Sequence, residues 1–175
     1  MDEKLLFEFL KKHSIAYHLY EHQPVFTVED KPVVTAIDGV PASDPILGPH
    51  FKTLFLRDKK GAFFLVSVTE EKRVDLNALS GVLGCGRLSF GKPEKLLEFL
   101  KLTPGSVTPY GLLFDQENKV HFVLDEDALG GSWVSFHPLR NDMTIITTPQ
   151  DFVTCLGAMG HTPQIIRIPA CDRCM

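Results

Sequence analysis

Apolar side chains recur every three or four residues in four parts of the chain, a spacing typical of amphipathic helices that pack against a core. These parts are Lys4–His13, Asp75–Leu83, the segment that opens at Lys92-Pro93 and the segment that follows Thr148. Proline suits the first helical turn, and a threonine hydroxyl can accept a hydrogen bond from a free backbone N–H there. Glycine readily adopts the left-handed conformation that ends a helix, so Gly84 and Gly160 mark two of the ends.

A second pattern, of alternating or continuous apolar, aromatic and β-branched residues, predicts strands. The predicted strands are Ile15–Glu21, Lys52–Arg57, Ala62–Val68, Val120–Leu124, Trp133–Phe136, Met143–Thr147 and Gln164–Ile168. The turn Asp58-Lys59-Lys60-Gly61 joins two of them into a hairpin. Because strands and helices do not alternate regularly, we predict a single α+β domain with a mixed, mostly antiparallel sheet rather than a doubly wound nucleotide-binding fold.

The least regular stretch runs from Thr27 to Phe51, where four prolines interrupt the chain. Proline blocks helix interiors and central strands, so this stretch is predicted to be a loop with at most a short helix near Thr27. Loops of this length in a compact domain are often binding segments or lids. The stretch is therefore a candidate border of a functional site.

Composition and charge narrow the classes of function. The 175 residues are 44% apolar and 23% charged, as in an ordinary globular domain. The formal net charge of -4 argues against a protein that coats nucleic acid non-specifically, since such binding needs an excess of Lys and Arg. No apolar run is long enough to span a bilayer, and the acidic start Met1–Lys4 is unlike a secretory signal. We expect a cytoplasmic protein without membrane contact.

Motifs for metal, nucleotide or nucleophilic catalysis are absent from the sequence. It lacks HExxH, GxSxG, GxxxxGK[ST] and a GxGxxG ahead of a helix. Cys171 and Cys174 form one CxxC pair, whereas a zinc ribbon needs a second pair. His18 and His22 have the spacing of metal ligands on a helix but fall in or beside a predicted strand. A metal or redox protein built on these residues is an alternative, but we expect no metal and no cofactor.

Three loops hold polar residues that could serve a site. Gly48–Lys52 brings a lysine to the start of an apolar strand, Pro104–Pro109 is a tight loop after a helix, and Phe136–Asn141 puts a histidine after an aromatic strand. Taken singly, each has an ordinary structural explanation: a solvated strand-end lysine, a plain connection and a hydrogen-bonded histidine. Their order along the chain is more specific than any one of them.

Five motifs, taken in order, resemble the YbaK/prolyl-tRNA synthetase-associated domain family of trans-editing aminoacyl-tRNA deacylases. They are Glu21-His22-Gln23-Pro24-Val25-Phe26-Thr27-Val28-Glu29, Lys52-Thr53-Leu54-Phe55-Leu56-Arg57-Asp58-Lys59-Lys60 with Phe64-Leu65-Val66, Gly105-Ser106-Val107-Thr108-Pro109, Phe136-His137-Pro138 with Asn141, and Pro149-Gln150-Asp151-Phe152 to Gly160-His161. The resemblance is strongest to the free-standing alanyl-tRNA(Pro) deacylases. It predicts an editing domain over residues 1–168 and leaves residues 169–175 as a C-terminal tail.

The resemblance implies both a fold and a reaction. The fold is a barrel-like, mixed and mostly antiparallel β-sheet core wrapped by helices, and the reaction is hydrolysis of the ester of mischarged tRNA, foremost Ala-tRNA(Pro). Lys52 matches the family's lysine that meets the backbone phosphate near the terminal adenosine. His137 matches a histidine that borders the pocket, and Asn141 a polar position in the same loop. The family's GxxxP loop, which holds the aminoacyl end and the attacking water, is matched by Gly105, Ser106, Val107, Thr108 and Pro109.

Selectivity is implied to come from a small pocket that admits alanine and excludes proline. Its candidate wall residues are Val25, Phe26 and Thr27, from the irregular stretch. Thr53 stands where many relatives carry asparagine, so any hydrogen bond made by that amide is altered here.

The implied partners are the acceptor end of mischarged tRNA(Pro) and prolyl-tRNA synthetase. Cations available to the tRNA are Lys59, Lys60, Lys72, Arg73, Lys92, Lys95, Lys101 and Arg140, of which we expect those close to Lys52 to take part. The alternative function is a non-catalytic tRNA-binding sensor or synthetase-partner module of the same fold, which turnover would distinguish from an enzyme.

Overall fold

Two β-sheets and the helices packed against them form the protein. The structure, a computed structural model, describes residues 3–21, 35–36 and 50–171. The strands in this part of the chain are β1 (His18–Glu21), β2 (Thr35–Ala36), β3 (Phe51–Asp58), β4 (Phe63–Thr69), β5 (Leu88–Phe90), β6 (Val120–Asp125), β7 (Val134–Phe136), β8 (Met143–Thr147) and β9 (Gln164–Ile166). The α-helices are α1 (Glu3–Lys12), α2 (Leu76–Leu83), α3 (Pro93–Leu100) and α4 (Pro149–Ala158), and 3₁₀ helices span Pro109–Phe114 and Glu126–Leu129.

The sheets differ in strand direction. A four-stranded sheet has the order β2-β1-β8-β7 and is antiparallel throughout. A five-stranded sheet has the order β5-β3-β4-β6-β9, in which β6 runs parallel to both of its neighbours. The prediction of an α+β fold with a mixed, mostly antiparallel sheet is confirmed. The described strands form two sheets and no closed barrel, and a single parallel bridge between His50 and Ser135 connects the start of β3 with β7.

Each face of the five-stranded sheet has its own hydrophobic core, because side chains alternate along its strands. Phe55, Leu65 and Phe122 face the larger core, which also takes up side chains of α1, α3, α4 and the first sheet. Leu56 and Val66 face the smaller core, which is covered by α2. The predicted β3–β4 hairpin is confirmed, and its register pairs Leu56 with Phe64.

Local hydrogen bonds set the helix boundaries much as the sequence predicts. The Asp75 carboxylate accepts from the N–H of Ala78 at the start of α2, and Gly84 ends that helix at a φ of 65°. The Thr148 hydroxyl accepts from the N–H of Asp151, 3.1 Å away, at the start of α4. These contacts satisfy backbone groups that a helix end otherwise leaves without a partner.

Several elements depart from the predicted pattern. Helix α3 ends at Lys101, which has a φ of 57°, rather than at the later Thr103-Pro104-Gly105. The short strand β5 and the 3₁₀ helix Pro109–Phe114 were not predicted, because each is too short to show a periodic pattern. In the segment that the sequence assigns to the tail, Pro169 accepts from the N–H of Asp75, 3.0 Å away. Cys171 donates its N–H to the carbonyl of Arg73 at 2.7 Å.

Some sequence-based predictions fall outside the described residues. These are the residues His22, Val25, Phe26, Thr27 and Cys174 and most of the proline-containing stretch. Within the described ranges, no helix has the length and apolar character needed to cross a membrane.

Candidate functional site

A small cavity lies where the start of β3 meets β7 and β8. Its volume is about 40 Å³, and its lining combines aromatic, aliphatic, hydroxyl and imidazole groups. The lining residues are His50, Phe51, Thr53, Val107, Ser135, Phe136, His137 and Thr144. The bridge between His50 and Ser135 holds the two sheets together at this point. The cavity is therefore built by both sheets and by the loop that precedes the 3₁₀ helix Pro109–Phe114.

Stacked aromatic rings support the cavity from the side of the larger core. The Phe51 and Phe136 rings stack with their centroids 5.1 Å apart, and Phe136 stacks on Phe152 at 4.7 Å. Tyr110 meets the Phe136 and Phe152 rings edge-on, at 6.4 and 5.9 Å. Offset and edge-to-face arrangements are the ones that aromatic pairs prefer, so these contacts stabilise the rings in place. This wall of the cavity is therefore formed by aromatic packing in the larger core.

Hydroxyl groups form another part of the cavity lining. Thr53 on β3 and Ser67 on β4 share a hydrogen bond of 2.9 Å between their hydroxyl oxygens. Ser135 and Thr144 are both buried. A hydroxyl can donate and accept at once, so these side chains can bind a small polar group or a water molecule at this wall.

Thr108 joins the loop before the 3₁₀ helix to the loop that carries His137. Its hydroxyl donates to the backbone carbonyl of His137 at 2.6 Å and accepts from the N–H of Tyr110 at 3.4 Å. Gly105, at a φ of 92°, turns the chain ahead of this contact in a conformation that favours glycine. The structure thus brings together the two loops that the sequence predicts as one site. Of the loop residues Val107 lines the cavity, whereas Gly105 is exposed and Thr108 and Pro109 are buried behind it.

The His137 ring is fixed by a hydrogen bond to the chain beyond it. Its Nδ1 lies 3.0 Å from the backbone oxygen of Met143. A carbonyl oxygen only accepts hydrogen bonds, so Nδ1 carries the proton, and in the neutral ring Nε2 holds the lone pair. His137 is partly buried and lines the cavity. It is therefore arranged to orient a ligand or a water.

Lys52 lies on the opposite face of β3 from Thr53. Its strand neighbour Leu54 and its partner across the hairpin, Val68, both belong to the smaller core. Partial burial and the nearby Arg73 charge lower the pKa of the Lys52 ammonium, and Glu70 opposes this shift. The side chains of Lys52 and Thr53 therefore do not meet in the cavity, although they are adjacent in sequence.

Asn141 lies in the turn between β7 and β8 and is partly buried, but it does not line the cavity. Its neighbour Arg140 is held by Glu3, with a nitrogen–oxygen distance of 2.9 Å, and by Asp142. These two carboxylates raise the pKa of Arg140 above its already high usual value. Arg140 is thus engaged within the protein rather than available to a large ligand.

Lys72 is likewise engaged by carboxylates. Its ammonium lies 2.5 Å from the buried Asp125 carboxylate and 3.4 Å from that of Asp127. Arg73, the next residue, is exposed and close enough to Lys52 to affect its pKa. Of the adjacent pair that the sequence singled out, Arg73 is the cation that accompanies Lys52.

The described part of the chain was also compared with what a metal site or a reactive thiol would need. No group of three or more His, Cys, Asp or Glu side chains there could hold a metal ion. The His18 ring packs edge-on against Trp133. Burial raises the pKa of Cys85, whose thiol donates to the Gly86 carbonyl, and burial raises the pKa of Cys155 to about 12. Neither thiol is activated as a nucleophile.

Five residues that line the cavity were not predicted as site residues, although three of them lie in loops that the sequence singles out. They are His50, Phe51, Ser135, Phe136 and Thr144. The strand pattern held a signal for Phe51, since it shares the alternating face of Thr53 and Phe55. The pairing that brings β7 and β8 to the start of β3 joins residues more than eighty positions apart, and no local pattern reveals it.

Comparisons with known proteins converge on one family. The model of the aminoacyl-tRNA editing domain matches residues 31–155. Prolyl-tRNA editing protein ProX of Acetoanaerobium sticklandii is 36% identical over 160 residues, which cover 91% of this chain and 93% of that protein. Prolyl-tRNA synthetase associated domain-containing protein 1 of Xenopus laevis is 42% identical over 151 residues, which cover 83% and 84%. The crystal structure of the hypothetical protein APE2540 shares the fold, with a TM-score of 0.69 at 17% identity over 95% of this chain and 99% of that one.

Proposed function

Because the chain belongs to the aminoacyl-tRNA editing domain family and is an aminoacyl-tRNA deacylase, we propose that its substrate is tRNA(Pro) mischarged with alanine. The reaction is attack of water on the ester carbonyl that joins the amino acid to the terminal ribose, which releases free alanine and tRNA. The relative from Acetoanaerobium sticklandii is named a prolyl-tRNA editing protein, which supports tRNA(Pro) as the carrier.

The size of the cavity is the observation that carries the choice of alanine. Its volume of about 40 Å³ exceeds the roughly 10–15 Å³ that a cavity needs, on the same measure, to hold one water molecule. In this proposal the methyl group of alanine enters this space, and the larger pyrrolidine ring of proline is excluded. A synthetase pocket discriminates by only about 1–3 kcal/mol per methylene, so a second, smaller pocket that rejects the larger amino acid completes the selection.

The polar groups around the cavity suit the chemistry of an ester that is already activated. Such an ester needs a positioned water and stabilisation of the developing oxyanion more than it needs a strong nucleophile. In this proposal Thr53 and His137 orient the substrate amine and the attacking water. The loop Gly105–Pro109 presents its backbone to the aminoacyl end. The ribose hydroxyl of the substrate assists the water.

Lys52 binds a backbone phosphate near the terminal adenosine in this proposal. The lysine lies at the start of β3, one position from Phe51 and Thr53, which line the cavity, but on the opposite face of the strand, the face that bears the smaller core. That offset suits a nucleotide whose amino acid enters the cavity while its phosphate remains outside. An ammonium is a compact point charge that attracts a phosphate oxygen without demanding one orientation.

Three further predictions from the sequence belong to the same proposal. Val25, Phe26 and Thr27 complete the wall of the amino-acid pocket, and Asn141 contacts the substrate from the β7–β8 turn. The activity takes place in the cytoplasm, where tRNA is charged. Prolyl-tRNA synthetase, which produces the mischarged substrate, is the expected protein partner.

Hydrolysis of a series of esters on one tRNA tests the proposed specificity. Alanyl-, seryl-, cysteinyl- and prolyl-tRNA(Pro) are incubated with catalytic amounts of enzyme, and kcat/KM is measured for each. We expect the alanyl ester to be hydrolysed fastest and the prolyl ester to decay at the rate without enzyme. Rapid loss of the prolyl ester would contradict the proposed size exclusion, and preference for serine or cysteine would change the assigned amino acid.

A further inference from the structure

Three exposed cations meet at the far end of the β3–β4 hairpin from Lys52. Lys59 and Lys60 form the turn of this hairpin, and Arg87 directly precedes β5. The antiparallel register pairs Asp58 with Leu88, so Lys59 and Arg87 are the next positions that face each other. Gly86 lies against Lys59 so closely that a Cβ on the glycine would be 3.4 Å from the Cβ of Lys59. The three side chains therefore start from one small area.

A buried carboxylate holds this area in place. Asp58 accepts hydrogen bonds from the N–H groups of Lys60 at 3.0 Å and Ala62 at 2.8 Å, which fix the turn. It also accepts from the N–H of Gly86 at 3.1 Å, which fixes the loop before Arg87. These donors lower the pKa of Asp58. Because the Asp58 carboxylate accepts hydrogen bonds from both the hairpin turn and the loop before Arg87, it holds the two segments in a fixed relative position.

The three cations of this area are exposed, whereas several other cations of the protein are held by carboxylates. The formal net charge of the chain is -4. Lys72, Lys95 and Arg140 are each paired with a carboxylate. In the part of the chain that the structure describes, no carboxylate lies within ion-pairing distance of Lys59, Lys60 or Arg87. A concentration of such cations on an acidic protein favours binding of a polyanion at this point.

We propose that Lys59, Lys60 and Arg87 bind the phosphate backbone of the paired acceptor stem of the tRNA, an inference that rests on the proposed function. A strand rises about 3.3 Å per residue, so the six positions from Lys52 to Asp58 span about 20 Å. A nucleic acid strand advances about 3.4 Å per nucleotide in a duplex. Phosphates bound at the two ends of β3 are thus about six nucleotides apart. A tRNA strand that begins with its terminal adenosine at Lys52 therefore runs through the unpaired 3′ end and reaches the paired stem at Lys59 and Lys60.

Two variants with the same change in charge test this surface. Lys59→Ala/Lys60→Ala removes two of the cations, and Lys11→Ala/Lys12→Ala removes two exposed lysines from the end of α1 as a control. Arg87→Ala tests the third cation on its own. The affinity of each protein for uncharged tRNA(Pro) is measured between 50 and 200 mM salt. Deacylation is measured on alanyl-tRNA(Pro) and on an alanylated CCA trinucleotide that has no stem.

Each phosphate contact contributes roughly 0.9 to the slope of log affinity against log salt, so two contacts amount to about a tenfold loss of affinity over this range. We expect Lys59→Ala/Lys60→Ala to lack that tenfold salt dependence and to hydrolyse the full tRNA more slowly at low substrate concentration. Its rate on the trinucleotide should equal that of the wild type. Arg87→Ala should act in the same direction with about half of the effect on the slope.

Equal tRNA affinity and salt slope in Lys59→Ala/Lys60→Ala, Lys11→Ala/Lys12→Ala and wild type would overturn the stem contact, even if deacylation remained dependent on Lys52. A loss of rate on the trinucleotide as well would also overturn it, because the effect would then lie in the cavity. If the wild type hydrolysed neither substrate, the proposed function would fail. The binding measurement would still decide whether this surface contacts the stem.

Discussion

Enlarging the cavity at Val107 should relax the selectivity for alanine. Val107 lines the cavity and is partly buried against the larger core. Val107→Ala removes two carbon atoms from the wall of a space of about 40 Å³. The variant should therefore accommodate a side chain up to two carbons larger than that of alanine.

The expected change in selectivity follows from the free energy of burying one methylene group, about 0.8 kcal/mol, which corresponds to roughly a fourfold change in kcat/KM. Relative to the alanyl ester, an ester of 2-aminobutyrate should gain about fourfold in Val107→Ala. A prolyl ester should gain up to about 15-fold. Because Val107 is only partly buried, the variant should lose less than about 2 kcal/mol of unfolding free energy, measured by urea denaturation.

Val153→Ala is the matched control for this prediction. Val153 lies on α4, is partly buried and packs against the same core, but it does not line the cavity. It should lose similar stability without a change in the ratio of rates. If Val107→Ala folds and keeps the wild-type ratio of alanyl to prolyl hydrolysis, or if Val153→Ala shifts the ratio equally, the cavity does not determine selectivity.

Two other substitutions test the contacts around the site. Thr108→Val removes the hydroxyl that donates to the His137 carbonyl, so it should cost about 1–3 kcal/mol of unfolding free energy and slow deacylation, whereas Thr108→Ser should restore both in the same assays. Lys52→Met should unfold at an equal or higher temperature than the wild type at pH 7, because burial lowers the pKa of Lys52 and its ammonium therefore opposes folding. Deprotonation of Lys52 removes this penalty from the wild type. The difference in melting temperature between Lys52→Met and wild type should therefore shrink as the pH rises toward the ordinary lysine pKa. A difference that grows with pH would show that the ammonium stabilises the fold.

The elements that the sequence predicts well are those that local chemistry determines. The β3–β4 hairpin follows from an alternating apolar pattern and a polar turn, and the start of α4 follows from Thr148 and the proline after it. The family resemblance placed the Gly105–Pro109 loop and His137 at the same pocket. In the structure, the hydrogen bond from the Thr108 hydroxyl to the His137 carbonyl joins them.

The composition of the cavity was not predictable in the same way. Ser135 and Thr144 reach it because β7 and β8 pair with each other and then meet His50, which is contact between distant parts of the chain. The sequence grouped Lys52 and Thr53 in one site, yet strand alternation places them on opposite faces of β3. That separation suits the proposal, in which Thr53 faces the amino acid and Lys52 binds a phosphate of the nucleotide.

The most direct test of the proposed activity is the rate of deacylation of alanyl-tRNA(Pro) by catalytic amounts of wild type and Lys52→Ala. Lys119→Ala, an exposed lysine beside Glu117, serves as the control. Loss of the positioning phosphate contact should reduce kcat/KM by about 100-fold in Lys52→Ala, while Lys119→Ala and wild type turn over many equivalents of substrate at the same rate. If Lys52→Ala hydrolyses the ester as fast as the wild type, Lys52 does not position the substrate. If the wild type does not turn over, the protein does not act on alanyl-tRNA(Pro).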